Sequence, residues 1–433
     1  MTLVRQIKKH RLLYDVPRST SNSFLVITGK NGEGKSRLLN QMLEQSFKEP
    51  SLFNTAIATS ASTFELFPTI NDTFVKGGRV DYHYIGTKKV KKSKINSSRH
   101  RDPLNLITSS SIGLLSGAHD AEHGLNENHQ RLREVFKLLN FLPQIEFVVK
   151  KTLIEVGQMV LIENEQVEHA IALLRENAWS FSHKDVQLTL EAINSEVDKN
   201  NNFKIGYAVG KRIGFFKGAN IYEKMLDIIL AMIESGILKV LDVRFTKGNT
   251  VRNQLIWHSM RNASSGEQCI YMALIGIASR IRENSIVFID EPEISLHPEW
   301  QEKFIQLLKS VFKNYYDCLF VIATHSPQII SQLNDEDSYI YDINSEELIA
   351  AVAYSSRSAD YQLATLFNTP GNNNEYLTRV LVTWLVKFSK GTITTETENK
   401  EVKMIVRLKD KLSPDDSVRT LIDITEDALR AMQ

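Results

Sequence analysis

The sequence predicts an α/β fold in which a mostly parallel sheet is flanked by helices, and three observations support this class. Uniformly apolar runs at 24–28 (FLVIT), 286–289 (IVFI) and 319–323 (LFVIA) are typical of strands buried on both faces. Patterns with helical spacing follow these runs, as at 35–47 and 298–312. Polar motifs stand directly after the apolar runs, where a parallel sheet has its ligand crevice.

The chain divides into four predicted parts. Strand 24–28 and helix 35–47 open the first part, and further strands are predicted at 56–59 and 80–85. Residues 131–199 have mainly helical spacings and predict an inserted helical lobe. A helix at 222–237, a strand-like or irregular segment at 240–256 and a helix at 266–283 follow. The predicted boundaries are 1–110 and 216–345 for a divided α/β domain, 111–215 for the lobe, and 346–433 for a C-terminal α-rich extension that contacts an oligomer or partner.

Composition bounds the function classes. The 433 residues are 42% hydrophobic, enough for one large core plus an insertion. A net charge of +1 excludes a global field that attracts polyanions. Two cysteines, Cys269 and Cys318, both in apolar stretches, argue against a disulfide framework. The same two cysteines fit a reducing compartment, so we expect a cytoplasmic protein. The sequence has no apolar run of 18 residues, so we expect no membrane contact.

A glycine-rich loop carries the strongest local signal. Residues 29–36 (GKNGEGKS) match the P-loop pattern and lie between a predicted strand and a predicted helix. Its backbone N–H groups and the helix N-terminus would bind phosphate, Lys35 would reach the β- and γ-phosphates of ATP, and Ser36 would ligate Mg²⁺. The predicted nucleotide-binding residues of this segment are Gly29, Asn31, Gly32, Glu33, Gly34, Lys35, Ser36 and Arg37.

Two further strand ends carry candidate catalytic groups. Asp290 would hold Mg²⁺ directly or through water, and Glu291 would act as general base on the attacking water. His325 follows the strand ending at Ala323, where its imidazole could bond a γ-phosphate oxygen. Paired carboxylates and lone histidines at strand ends are also common on surfaces, so these assignments depend on the P-loop beside them.

The order of five motifs resembles ABC-class ATPases. They are GKNGEGKS as Walker A, SSGEQ at 264–268 as the signature, IVFIDEP at 286–292 as Walker B, SLHP at 295–298 as the D-loop, and His325 as the switch histidine. The resemblance implies an ABC-type P-loop NTPase head. It also implies that the signature of one head caps the ATP of another, so that a homodimer or higher homo-oligomer encloses two ATP molecules. The signature residues assigned to nucleotide binding are Ser264, Ser265, Gly266 and Glu267.

A finer resemblance points to soluble ATPases of the overcoming-lysogenisation-defect and RecF-like group. The passages 57–68 (IATSASTFELFP) and 84–87 (YIGT) are similar to bacterial defence ATPases such as PtuA of the Septu system and its retron-associated relatives. This implies anti-phage defence, a separate HNH-type (PtuB-like) nuclease subunit and, in retrons, a reverse transcriptase with its msDNA. The segment after residue 346 departs from the Toprim nuclease pattern, so we expect no nuclease chemistry in this chain.

Other interpretations stay open. The basic segment 88–101 could contact DNA or RNA, or form a solvated loop. Direct DNA binding would favour a repair or chromosome-maintenance ATPase, and negligible turnover would favour an ATP-loaded scaffold. The segment between Walker A and the lobe lacks a clear Q-loop glutamine, and Tyr14 is a weak candidate for stacking on adenine.

Overall fold

The structure, a computed structural model, describes residues 4–18, 20–30, 32–49, 52–60, 66–68, 80–86, 104, 107–108, 110–111, 133–137, 139–152, 155–156, 159–160, 163–177, 179–208, 214–215, 223–249, 254–294, 296–333, 336–354, 357–391 and 395–431. Its strands are β1 Val4–Gln6, β2 Ser23–Thr28, β3 Thr55–Ser60, β4 Asp81–Ile85, β5 Leu142–Lys151, β6 Glu155–Val156, β7 Met159–Val160, β8 Asn202–Ala208, β9 Gly214–Phe215, β10 Leu238–Asn249, β11 Gln254–Ser259, β12 Ser285–Asp290, β13 Leu319–Ala323, β14 Ser338–Asp342 and β15 Glu347–Ala350. Its helices are α1 Leu12–Asp15, α2 Lys35–Lys48, α3 Glu163–Glu176, α4 His183–Glu196, α5 Glu223–Glu234, α6 Ser265–Ala278, α7 Pro298–Val311, α8 Pro327–Ser331, α9 Ala359–Thr365, α10 Glu375–Ser389, α11 Glu396–Val406 and α12 Ser417–Ala431.

The main sheet has the strand order β1-β15-β14-β2-β13-β12-β3-β4. Neighbours from β14 to β4 run parallel, and β1 and β15 pair antiparallel at the other edge. The register sets Asp290 of β12 beside Ala323 of β13 and Ser60 of β3. The carboxyl ends of these strands therefore meet at one edge, and the predicted mostly parallel sheet with flanking helices is confirmed.

Both faces of this sheet are covered. Along β2, Phe24 and Val26 pack into one hydrophobic cluster, whereas Leu25 and Ile27 pack into another on the opposite face. Helix α2 covers the second cluster, and helices α6 and α7 contribute to the first. Burial of each large apolar side chain stabilises the fold by roughly 1.5–3 kcal/mol, which explains why these strands are apolar at every position.

A second, antiparallel sheet has the order β11-β10-β5-β8-β9. Helices α3 and α4 lie in the segment that was predicted to be mainly helical, but the prediction was wrong for β5, β6 and β7, which lie in the same segment. Ile145, Phe147 and Val149 of β5 alternate into the core, and the pairing partners come from β8 and β10, which are distant in the chain. Local periodicity could not reveal that pairing. The sheet joins strands from both sides of residue 215, the predicted end of the inserted lobe.

The C-terminal part is α-rich, as predicted. Helices α9 to α12 surround their own hydrophobic cluster, in which Leu377, Leu381 and Trp384 are buried. Leu366 and Phe367 pack into the first cluster of the main sheet and attach this part to it. Within the ranges described above, none of the helices has the length and apolarity needed to cross a bilayer.

Candidate nucleotide site

The P-loop joins β2 to α2 and depends on glycine. Gly34 caps the N-terminus of α2 at φ 95°, and Gly32 has φ 84°; both angles lie in the left-handed region that favours glycine. A Cβ atom added to Gly29 would lie 2.5 Å from Cγ2 of Ile343. Glycine is therefore required at these three positions for the loop to curl. The curled loop exposes successive backbone N–H groups to an anion.

Lys35 is poised inside this loop. Its side chain is buried, and Nζ donates to the carbonyl oxygens of Gly29 at 2.9 Å and Lys30 at 3.1 Å. Burial lowers the pKa of Lys35, although nearby carboxylates, Glu291 first among them, act in the opposite direction. Carbonyl partners hold the ammonium in place, and a phosphate could replace them with a stronger charge-assisted bond.

The remaining P-loop predictions have different surroundings. The Glu33 carboxylate accepts from the amide of Asn344 at 2.7 Å and from the backbone N–H of Lys30, so it braces the loop. Arg37 is exposed on α2. Asn31 lies outside the described residues, and its nucleotide contact stays a prediction.

Asp290 ends β12 and is 2% exposed. The Ser36 hydroxyl lies beside its carboxylate and acts to lower its pKa, while Oδ1 is buried without a hydrogen-bond partner in the described part of the chain. Burial raises the pKa of Asp290 to about 6, and the carboxylates of Glu291 and Glu293 act in the same direction. An unpartnered carboxylate oxygen beside a hydroxyl fits Mg²⁺, which takes one or two protein oxygens and completes its shell with phosphates and water. Among the described residues, no group of three or more His, Cys, Asp or Glu is arranged to hold a metal ion.

Glu291 begins a tight turn after β12. Its φ of 48° is unusual for a residue with a side chain and costs roughly 1–3 kcal/mol. Its N–H donates to the carbonyl of Ala323 at 2.9 Å, which pins the turn to the end of β13. The side chain is half-buried. The turn thus directs a carboxylate toward the sheet edge where Lys35 lies, and the two charges act on each other.

His325 is held by Glu293, a residue that the sequence reasoning missed. Glu293 is 7% exposed, and its Oε1 accepts from the His325 N–H at 2.6 Å. The same oxygen lies 3.0 Å from Nδ1 of His325. Bonding to Glu293 raises the pKa of His325; burial raises the pKa of Glu293, but its bonds with His325 outweigh burial and leave that pKa below its ordinary value. The sequence feature that could have identified Glu293 is a second acidic residue two positions after Glu291.

The signature forms the start of α6. Ser264 is its N-cap: the hydroxyl accepts from the Glu267 N–H at 3.3 Å, and Glu267 Oε2 accepts from the Ser264 N–H at 2.9 Å. This capping box gives Glu267 a structural contact, while its nucleotide contact stays a prediction. Ser264 and Ser265 are exposed and Gly266 is buried. The helix therefore presents its first turn, with its partial positive charge, to solvent.

The fold brings one half of the predicted site together. Lys35, Ser36, Asp290, Glu291 and His325 meet at the carboxyl ends of β2, β12 and β13. The signature helix α6 instead packs on β4, which lies four strands from β2 in the sheet order. At the usual spacing of about 4.8 Å between strands, β4 itself lies roughly 19 Å from β2. The first turns of α6 lie nearer, because Cys269 and Ile270 line a cavity with Ser60 of β3 and Ile289 of β12. The signature helix thus covers strands β12, β3 and β4 and not β2, the strand that leads into the P-loop.

The remaining residues singled out in the sequence lie away from the P-loop or outside the described residues. Tyr14 is 45% exposed on α1, and the nearby His10 carbonyl accepts from Gln45 toward the far end of α2 from the P-loop. The basic segment 88–101 and Ser295 of the D-loop lie outside the described residues. His297 of the D-loop caps α7, where its ring accepts from the Glu299 N–H at 3.4 Å.

Comparison with known proteins supports an ATPase. The family model described as "AAA domain, putative AbiEii toxin, Type IV TA system" matches residues 91–331, more than half of the chain. "Retron Ec83 probable ATPase" of Escherichia coli is 33% identical over 93 residues, which is 19% of this chain and 17% of that protein. "Retron Vc95 probable ATPase" of Vibrio cholerae serotype O1 biovar El Tor is 34% identical over 89 residues, 18% of this chain and 17% of that protein. These matches thus span about a sixth of each relative's length.

Proposed function

This chain belongs to the family of AAA domains described as "AAA domain, putative AbiEii toxin, Type IV TA system", and on that premise we propose that it binds ATP with Mg²⁺ and hydrolyses it at the carboxyl ends of β2, β12 and β13. The observation that carries the proposal is the convergence of Lys35, the unpartnered Oδ1 of Asp290 and Glu291 at one sheet edge. The family and the names of both relatives agree with this activity.

Each residue has a distinct role in the proposed reaction. Lys35 neutralises the β- and γ-phosphates, and Glu291 accepts a proton from water as the water oxygen attacks the γ-phosphorus. The bond from that phosphorus to the β,γ-bridging oxygen breaks, which releases ADP and phosphate. Ser36 and Asp290 would hold Mg²⁺, whose charge stabilises the triphosphate when it is bound.

Completion of the site requires a second copy. The exposed start of α6 is a second anion-binding element, and the sheet order sets it apart from the P-loop of its own chain. A symmetric pair would place each signature, with Ser265 and Gly266, against the ATP of the other. The ABC-class order of the motifs supports this arrangement.

The biological setting belongs to the same proposal. We infer an ATPase subunit of a bacterial anti-phage defence complex that controls a separate HNH-type nuclease. The passages similar to PtuA and the retron association in the names of both partial relatives support this setting. Association with a retron reverse transcriptase and its msDNA is the corresponding partner hypothesis, and identification of the neighbouring genes tests it.

Phosphate release by the purified protein with Mg²⁺ and ATP tests the activity. Lys35→Ala should abolish ATP binding, because it removes the loop's cation, whereas Lys48→Ala at the exposed far end of α2 should change nothing. Glu291→Gln should retain binding and slow hydrolysis by about 10²–10⁴, with the exposed Glu302→Gln of α7 as the control. Equal turnover by wild type and Glu291→Gln would remove the general-base role, and tight binding without phosphate release would favour the scaffold interpretation.

A further inference from the structure

Glu293 links two neighbouring strand ends. It lies in the turn after β12, and the residue it holds, His325, follows β13. The turn is fixed independently, because the N–H of Glu291 bonds the end of β13, and the N–H groups of Ile294 and Leu296 bond the carbonyls of Glu291 and Glu293. A rigid turn allows one buried carboxylate to set the position of a ring on the adjacent loop.

One oxygen of Glu293 performs this contact. Oε1 accepts a hydrogen bond from the His325 backbone N–H at 2.6 Å and lies at ion-pair distance, 3.0 Å, from the buried Nδ1, which has no aligned hydrogen-bond partner among the described residues. It therefore holds the backbone by a hydrogen bond and the ring by charge. A carboxylate at that distance favours a proton on Nδ1, which leaves Nε2 as the ring nitrogen directed to other partners. The His325 side chain is 39% exposed, so this nitrogen can meet a ligand.

The charges around the ring favour the cationic form. Glu293 and Glu291 stabilise imidazolium, while Lys35 and partial burial oppose it, and the net effect raises the pKa of His325. A protonated ring whose Nδ1 lies beside the Glu293 carboxylate can donate from Nε2 to a phosphate oxygen. Glu293 also has a buried Oε2 without a hydrogen-bond partner among the described residues, so it remains available as an acceptor.

We propose that Glu293 is a positioning residue for His325: it holds the imidazole so that Nε2 faces the γ-phosphate as a hydrogen-bond donor. The inference rests on the proposed ATPase function and deepens it. Glu293 acts through His325, whereas Glu291 acts on water, so two acidic residues of one turn, separated by Pro292, have different roles. In unrelated enzymes, namely zinc enzymes and serine proteases, carboxylates fix the orientation and tautomer of metal-binding or catalytic histidines in this way.

A double-mutant cycle tests the coupling. Glu293→Gln should lower kcat about 10²-fold and leave the Kd for ATP within about twofold, because the positioned donor matters for the transition state. His325→Ala should give a similar loss, and the double variant should lose no more than His325→Ala alone. A loss equal to the product of the two single losses would overturn the proposal. Glu299→Gln, an exposed carboxylate at the start of α7, is the matched control.

The pH dependence separates positioning from a general structural effect. Because the carboxylate raises the pKa of His325, the decline of kcat on the alkaline side should move to lower pH in Glu293→Gln. Glu293→Asp retains the charge, so its alkaline decline of kcat should stay near the wild-type pH, with an intermediate kcat. The proposal would be contradicted if the alkaline decline of kcat occurred at the same pH in Glu293→Gln and in wild type.

A readout without turnover keeps this inference distinct from the proposed activity. The His325 imidazole signals, assigned by their loss in His325→Ala, should titrate at lower pH in Glu293→Gln than in wild type. If wild type binds ATP without hydrolysing it, the proposed activity fails, yet this titration still tests the contact. Equal titration in both proteins would overturn the role of Glu293. Melting temperatures of both variants identify any loss of folding, and Glu293→Asp then supplies the comparison.

Discussion

At the scale of single residues, the site is a set of charges held ready by burial. Lys35 is bonded to loop carbonyls, Asp290 keeps an oxygen without a partner, and Glu293 restrains His325. Burial of an unpaired carboxylate oxygen is unfavourable by about 1–3 kcal/mol or more. A cation bound to that oxygen would remove this cost. Bound Mg²⁺ and triphosphate would therefore lower the free energy of these charged groups.

The carboxylate of Asp290 provides a metal prediction. Asp290→Asn keeps the shape of the side chain but removes the charge, so the gain in ATP affinity on adding Mg²⁺ should be lost. Titration of a fluorescent ATP analogue with Mg²⁺ and with EDTA measures this gain. The exposed Asp427→Asn of α12 should behave as wild type. A full Mg²⁺ effect in Asp290→Asn would show that the ion is held by other residues.

At the scale of elements, the antiparallel sheet supports the signature helix. Asp242 of β10 is buried, and its Oδ1 accepts from the Ser259 hydroxyl at 2.7 Å and from the Arg261 N–H at 3.3 Å. Its other oxygen is bonded by Arg244 at 2.8 Å, and Arg244 also reaches the buried Glu146 of β5. This network fixes the turn that leads into α6, so the second sheet determines where the signature begins.

The cap of α6 gives a stability prediction. Glu267→Ala removes one half of the capping box and should destabilise the protein by about 1 kcal/mol. Glu267→Gln can still accept from the Ser264 N–H and should be nearly neutral. Denaturant unfolding measures both effects. If Glu267→Gln were as destabilising as Glu267→Ala, the charge of Glu267 and not its cap would be responsible.

At the scale of the whole molecule, the sheet order separates two elements that both favour anions. The P-loop lies at β2, and the signature helix packs on β4 at the edge of the sheet. A ligand with several negative charges could join them when the second element comes from another copy. The separation is therefore a reason to expect association that depends on nucleotide.

The mass in solution tests this association. Glu291→Gln with Mg²⁺ and ATP should shift from 49.3 kDa toward twice that value, because slow hydrolysis preserves the bound state. Adding Ser265→Arg should prevent the shift, whereas Ser195→Arg on the exposed surface of α4 should not. Light scattering after gel filtration gives the masses. An unchanged mass with ATP bound would refute pairing through the signature.

Local sequence was sufficient where neighbours in the chain are neighbours in space. The P-loop glycines, Lys35 and the buried strand ending in Asp290 are each contained in one short segment, so residue type and spacing predicted their placement. The parallel sheet followed from the same apolar strands. A few residues were enough to predict the P-loop, because its backbone conformation depends mainly on the residues next to one another in the chain.

Contacts between distant segments required the tertiary structure. The contact of Glu293 with His325 joins residues 32 positions apart. Strand β5 likewise pairs with strands that are distant in the chain. Local sequence periodicity cannot predict either contact. The sequence by itself determined the phosphate-binding loop and the fold class, because these follow from chain-local geometry. The tertiary structure decided which carboxylate restrains His325 and which strands the signature helix covers, because strand order and long-range packing set those contacts.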